Sequence, residues 1–260
     1  MCRARADGTY TCVGAPEAVA ALDALRPAAA GAGLPGPRWT AFDPAALVAG
    51  YGAPACWHAA GRLAPLLARE PAVTAALLSC CPPWAEPAGL DNRIKSAPGT
   101  CEKVRRLGVK HACTPAAAAV RVVDALRYTL RVPEAEALVP TAEEFIARAA
   151  AEDIAFLAAR HYYHPGSRYK GLHLVGEEPS GHAVFEVQFH TVREWDLMHG
   201  PGHTLYEVYR DPGTPPPLAR SALARLRTLA AELPHPPGLA RLEDPWGPLR
   251  GCGGCRATVS

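Results

Sequence analysis

The run Phe185-Glu186-Val187-Gln188-Phe189-His190 alternates with the period of a β-strand. Glu186, Gln188 and His190 therefore share one face, and Phe185, Val187 and Phe189 share the other. A polar face opposite a purely apolar one suits a strand that lines a reaction cleft; a plain solvated face fits the same pattern. The segment before it brings Tyr169, Lys170 and His173, and the segment after it brings His199, His203, Tyr206, Glu207 and Arg210. Earlier in the chain Arg93-Ile94-Lys95-Ser96 is followed by Lys103. Two cations at i and i+2 point the same way if that segment is extended, and a third from the next helix would close a triphosphate clamp. A cationic surface patch is the plainer alternative. Asp124 follows Val122-Val123, with Arg127 and Arg131 nearby. A carboxylate there must cap a turn or bind a partner, because burying it unpaired is costly.

Composition narrows the chemistry. The formal net charge of +2 is too small for general nucleic-acid or membrane binding, so a basic site must be local. The basic residues are mostly arginine, with lysine only at 95, 103, 110 and 170, and an ammonium suits phosphate oxygens as a point charge. No run of about 18 apolar residues offers a membrane span, and Asp7 to Tyr10 stand where a signal peptide needs an apolar run, so a cytoplasmic protein is expected. An exported or toxin-delivered domain would read the same way. Nine scattered cysteines do not form a secreted disulfide framework. Cys252-Gly-Gly-Cys255 lacks a second pair for a zinc knuckle, and reduced thiols in a tail are the expectation.

The elements that must position these groups follow from periodicity. Residues 1–53 read as a variable extension with a helix from Pro16 to Leu25, and 54–212 as the main domain. Residues 213–260 read as a helix from Leu218 to Leu233 with a Pro/Gly/Cys-rich tail. Within the main domain the pattern predicts one or two amphipathic helices from Ala55 to Ser79, then a helix from Thr100 to Gly108. A strand is expected over 120–132, at least from Ala125 onward. A capping box of Thr141 with Glu144 predicts a helix running to about Arg160. Strands are expected at Gly171 to Glu177 and Ala183 to Thr191, joined by Pro179-Ser180-Gly181, then one helix from Arg193 to Tyr209. The order suggests an α/β or α+β fold with a central mixed sheet. The last helix is expected to pack within the chain, as a monomer.

Taken in order, Arg93-x-Lys95-Ser96, Glu102-Lys103, Asp124-x-x-Arg127, Tyr169-Lys170-Gly171-x-His173 and Phe185-Glu186-Val187-Gln188-Phe189-His190-Thr191 resemble the synthetase domain of the RelA/SpoT alarmone enzymes. Leu205-Tyr206-Glu207-x-x-Arg210 is similar to the short, toxin-like branch of that family. The resemblance spans about residues 60 to 212. It implies a mixed sheet flanked by helices in a nucleotidyltransferase-like synthetase fold. The implied activity is transfer of pyrophosphate from ATP to the 3′-hydroxyl of a nucleotide. By the same resemblance Arg93, Lys95, Ser96, Lys103, Arg127 and Arg131 bind ATP, and Asp124 and Glu186 hold Mg²⁺. Glu186 is then the candidate base, with His190 its rival. Tyr169, Lys170, His173, Gln188, Glu207 and Arg210 fall on the acceptor side.

The sequence departs from the family pattern in three places. The Asp-x-Ala-Gly-x-Arg motif appears as Asp124-Ala-Leu-Arg127, so the arginine that packs on adenine is displaced. Ser167-Arg168 replaces Asn-Gly before the tyrosine, and Gly171 stands where the family has serine. The acceptor is thus a guanine nucleotide, an adenine nucleotide or a tRNA 3′ end. With no His-Asp hydrolase signature, a synthetase without its own hydrolase is expected. Two other readings stay open: an inactive nucleotide- or alarmone-sensing module, and a biosynthetic nucleotide pyrophosphokinase.

Overall fold

The computed structural model describes residues 2–4, 10–26, 36–180, 183–211 and 213–242. The CxxC pair at Cys252 and Cys255, and most of the tail, lie outside them. Short strands β1 (Cys2–Ala4) and β2 (Tyr10–Cys12) pair antiparallel. Helices α1 (Ala15–Asp23) and α2 (Pro44–Tyr51) follow and pack together. Asp43 caps α2 by accepting from the Ala45 amide at 2.9 Å.

A five-stranded mixed sheet flanked by helices forms the centre of the fold. Its strands are β3 (Glu86–Ala88), β4 (Arg127–Val132), β5 (Ala155–His161), β6 (Leu172–Glu177) and β7 (Val184–Thr191). They lie in the order β3-β4-β7-β6-β5. The β3–β4 and β5–β6 pairs are antiparallel, with Glu86 opposite Arg131 and Arg160 opposite His173. The expected fold class is therefore the observed one. The chain divides into two compact units: residues 1–77, 89–128 and 180–186 in one, and 78–88, 129–179 and 187–260 in the other.

In the first unit α3 (Ala53–Ser79) is one continuous helix despite Pro65 and Pro71. Its spacing of Leu63, Leu66, Leu67, Val73 and Leu77 gives one buried face. Glu70 and Thr74 fall on that same face and are fully buried. Each has a partner. Arg93, 1 % exposed, donates through Nε to Glu70 Oε1 and through Nη1 to the Leu90 carbonyl at 2.6 Å. Thr74 Oγ1 donates to Glu70 as well and lies 2.8 Å from the Tyr128 hydroxyl. Thr74 has spent its only proton on the carboxylate, so Tyr128 is the donor in that contact. Burial pushes the Tyr128 phenol up, which keeps that proton in place.

This network anchors the strap between a 3-10 turn (Leu90–Asn92) and α4 (Ala97–Lys110). The strap pairs with the chain entering β4: the Lys95 amide donates to the Ala125 carbonyl at 2.9 Å, and the Arg127 amide to the Arg93 carbonyl at 2.8 Å. Ser96 then caps α4 by accepting from the Gly99 amide at 3.2 Å, and α5 (Pro115–Val120) packs beside α4.

In the second unit α6 (Ala135–Ala151) packs on β5. The Phe145 ring meets Phe189 at 5.7 Å and Phe156 at 6.0 Å. Helices α7 (Val192–His199), α8 (Pro201–Arg210) and α9 (Pro216–Ala231) follow, and α9 packs on α8 within the chain.

Four expectations need correction. The strand expected from Ala125 starts at Arg127, because Val123–Ala125 is a 3-10 turn. The helix expected to start at Thr141 starts at Ala135, and buried Thr141 instead accepts from Trp84 Nε1 at 3.0 Å. That helix stops at Ala151 rather than Arg160. Asp153 takes a left-handed φ of 56°, a conformation that a short polar side chain tolerates, and a strand follows. Finally, Gly200-Pro201 splits the helix expected from Arg193 to Tyr209 into α7 and α8.

The Glu70–Arg93 pair gives a stability prediction. Glu70→Gln or Arg93→Met alone strands a buried partner and is expected to cost about 3–5 kcal/mol in urea unfolding. The double change Glu70→Leu/Arg93→Met removes both charges and is expected to recover most of that loss. A double variant no more stable than either single would show that the pair is not the anchor.

Candidate functional site

The sequence-predicted residues fall into two clusters, one in each unit. The first is built around Asp124, in the 3-10 turn at φ −96°, ψ 18°. Lys103 reaches its Oδ1 at 2.6 Å and Lys95 its Oδ2 at 3.3 Å. Lys95 comes from the strap, fixed by the backbone pairing already described, and Lys103 from the second turn of α4. All three side chains are largely buried, at 14–20 % exposure. Burial alone would raise the Asp124 carboxyl. The charges of Lys95 and Lys103, helped by Arg127, override it and hold the group down to about 2. Lys95 is pushed down by burial and by the charges of Arg127 and Lys103, against the pull of Asp124.

Five cations and one serine were expected in this cluster, and the structure sorts them. Lys95 and Lys103 converge on one carboxylate, and Arg127 lies close enough to act on it electrostatically. Arg93 does not share their face. It ends the 3-10 turn in an αR conformation, not an extended one, and its guanidinium is buried against Glu70. Ser96 spends its hydroxyl on the α4 cap. Arg131 belongs to the second unit, where it pairs with Glu86 across β3–β4 and lies 6.0 Å over the Trp195 ring.

Glu186 is in the first unit, 9 % exposed, and its amide donates to the Leu126 carbonyl at 2.9 Å. That pairing brings its backbone to a residue two positions from Asp124. Among the described residues no group of three or more His, Cys, Asp and Glu side chains could hold a metal. A zinc-type cage is not in evidence there. Magnesium asks for less, one or two hard carboxylates with water and substrate phosphate completing the shell. An ionised Asp124 with Glu186 fits that donor set.

The second cluster is built on Tyr169. Its hydroxyl lies 2.6 Å from His173 Nε2 and 3.1 Å from His190 Nε2. A phenol donates once, so one histidine receives its proton and the other donates to it. The Tyr162 ring meets both Tyr169 and His173 edge to face, at 5.2 and 4.8 Å. His190 is fully buried, and burial, followed by the charges of His173 and His199, brings it down to about 3. Burial thus favours the neutral imidazole, with Glu194 Oε2 3.9 Å from its Nδ1. Lys170 donates to the His164 carbonyl at 3.2 Å. Gln188 is half-buried on β7, and Glu207 and Arg210 are exposed on α8. Arg168 stands 5.1 Å over Tyr209 and 5.9 Å over Tyr206, tying the loop before Tyr169 to α8.

Two supporting sets were missed in the sequence. Glu194 closes a capping box with Thr191 at the start of α7 and accepts from the Tyr163 hydroxyl at 2.8 Å. Its signal was present as Thr191-x-x-Glu194. Glu70 and Thr74 were legible as polar residues on the apolar face of α3.

No family model matches this chain, and no curated protein does. Among solved structures it is similar to the small alarmone synthetase 1 from Bacillus subtilis, at 19 % identity over 56 % of this chain and 71 % of that one, with a TM-score of 0.41. The same synthetase bound to its product pppGpp is 20 % identical over 56 % and 72 %, with a TM-score of 0.40. A GTP pyrophosphokinase family protein from Streptococcus pneumoniae is 18 % identical over 50 % and 65 %, with a TM-score of 0.35. These overlaps are low.

The Asp124 cluster predicts a pH dependence. The folded carboxyl sits near 2, below the ordinary 3.8, so it favours folding when ionised. That contribution, about 2 kcal/mol, is full above 3.8 and is lost as pH falls toward 2. In urea unfolding the gap between wild type and Asp124→Asn is expected to narrow by about half between pH 6 and pH 3. A gap that stays constant would show that the lysines do not hold this carboxylate down.

Proposed function

We propose that this protein transfers a pyrophosphate group from ATP to the 3′-hydroxyl of a nucleotide, releasing AMP. The observation that carries the reading is the convergence of Lys95 and Lys103 on Asp124 at the start of α4. Two buried ammoniums sharing one carboxylate form a site that exchanges counter-ions. An arriving triphosphate takes over the lysines and frees Asp124. Asp124 and Glu186 would then hold Mg²⁺, which supplies charge neutralisation on the phosphate oxygens when bound.

In this reading Lys95 and Lys103 bind the phosphates, and Arg127 adds positive charge beside them. Arg93 acts through the strap rather than on the nucleotide. Glu186 accepts the proton of the acceptor hydroxyl as that oxygen attacks the β-phosphorus and the bond to the AMP oxygen breaks. The fully buried His190 is too weak a base for that task and serves the Tyr169 hydroxyl instead. Tyr169 offers its ring to the acceptor base, with Lys170, His173, Gln188, Glu207 and Arg210 on the acceptor side. The resemblance of the five ordered motifs to the RelA/SpoT synthetases supports the same reaction.

The test is incubation of the purified protein with Mg²⁺, β-labelled ATP and, in parallel, GDP, GTP, ADP, ATP or deacylated tRNA. Label is expected in one acceptor class and AMP in equal amount. Glu186→Gln and Asp124→Asn are expected to lower transfer by about 10²–10⁴-fold. ATP binding without transfer to any acceptor would overturn the enzyme reading in favour of a nucleotide-sensing module.

A further inference from the structure

Gly171 directly precedes β6, and its carbonyl accepts from the Tyr162 amide at 2.9 Å. The next residue, Leu172, is in register with His161, so the backbone here has little freedom to move. A Cβ placed on Gly171 would come within 2.4 Å of His190 Cε1, 3.0 Å of His190 Nδ1 and 3.2 Å of the Tyr169 hydroxyl. The imidazole it would strike is fully buried and bonded to Tyr169, so it has nowhere to rotate. The residue does not take a left-handed φ, so the requirement for glycine is one of space and not of backbone conformation.

We propose that Gly171 is a positioning residue of the acceptor side: the hydrogen in place of a side chain makes the room in which His190 seats itself against the Tyr169 hydroxyl. Gly171 and His190 then work as one coupled pair. A side chain at 171 and the imidazole of His190 in its present seat exclude each other unless one of them moves. With Tyr169 held by His190 on one side and His173 on the other, its ring has one orientation to offer an acceptor base. Gly171 presents no polar side chain to that base, so recognition at this point leans on stacking, which purines share. The functional half of this proposal rests on the acceptor-side reading given above; the seating of His190 does not.

The experiment compares full-length wild type, Gly171→Ala, Gly171→Ser, His190→Ala and Gly171→Ser/His190→Ala. Transfer kinetics are run with the accepted nucleotide, and the ring of His190 is followed by NMR in histidine-labelled protein. Gly171→Ser is expected to lower kcat/KM for the acceptor by about 30-fold or more with KM for ATP unchanged. It is also expected to shift the His190 ring signals. Adding His190→Ala to it relieves the clash, so the double variant returns to the level of His190→Ala alone. Gly171→Ala, the smaller insult, gives an intermediate loss if the serine variant folds poorly. An unmoved His190 ring in Gly171→Ser, or a double variant worse than both singles, would overturn the proposal. If wild type transfers label to no acceptor, the proposed function fails, and the NMR arm still decides whether Gly171 seats His190.

Discussion

The first unit is organised around keeping one carboxylate charged away from water. Asp124 is only 14 % exposed, and such a group ionises readily only where opposite charge offsets its lost hydration. Two ammoniums do this, and neither comes from Asp124's own segment. Lys95 is delivered by a strap whose backbone is zipped to the entry of β4, and Lys103 by a helix whose first turn is capped by Ser96. The strap in turn is anchored by Arg93 in its buried pair with Glu70. The dependence runs both ways, because burial and like charges push Lys95 toward losing its proton and Asp124 opposes them. An arrangement so finely balanced on one carboxylate responds strongly to any second anion that enters it.

What the sequence made legible follows from the strength of each local signal. The alternation in Phe185 to His190, flanked by turn residues, gave β7 and its apolar face because strand period leaves little ambiguity. The 3.6-residue repeat in Ala55 to Ser79 gave α3 for the same reason. The strand β5 was not legible. Ala155-Phe-Leu-Ala-Ala-Arg continues a helical composition, and only pairing with β6 makes it a strand. The stop before it depends on Asp153 in a left-handed conformation, which sequence does not announce as glycine would. Thr141 with Glu144 had the spacing of a capping box, yet Thr141 lies inside a longer helix and its hydroxyl is used by Trp84.

The site was legible in its residue types and less so in their partners. Lysines at 95 and 103 and the aspartate at 124 stood out by rarity and context, and the fold brings those three together. Arg93 looked like a fourth member because it is charged and adjacent. Its partner Glu70, however, lies 23 residues earlier on another helix, and only the tertiary fold reveals that pairing. Gly171 shows the same limit. In the sequence it was a departure from a motif; its meaning appears only when His190 is found 2.4 Å from where its Cβ would stand.

The two clusters solve opposite electrostatic problems. Around Asp124 every group is charged, and the geometry holds those charges close in partial burial, as suits a site for polyanions. Around Tyr169 the buried imidazole of His190 is brought down to about 3 by burial, so the contacts it makes are those of a neutral donor or acceptor. A base with so low a proton affinity is badly matched to removing a proton from a ribose hydroxyl. The same neutrality suits it to fix a phenol in one orientation without attracting stray phosphate. Strand period places Glu186 and His190 on one face of β7, yet their surroundings assign them different work. In the proposed reaction the carboxylate of Glu186 would take the proton and share the metal, and the imidazole of His190 would hold the Tyr169 ring.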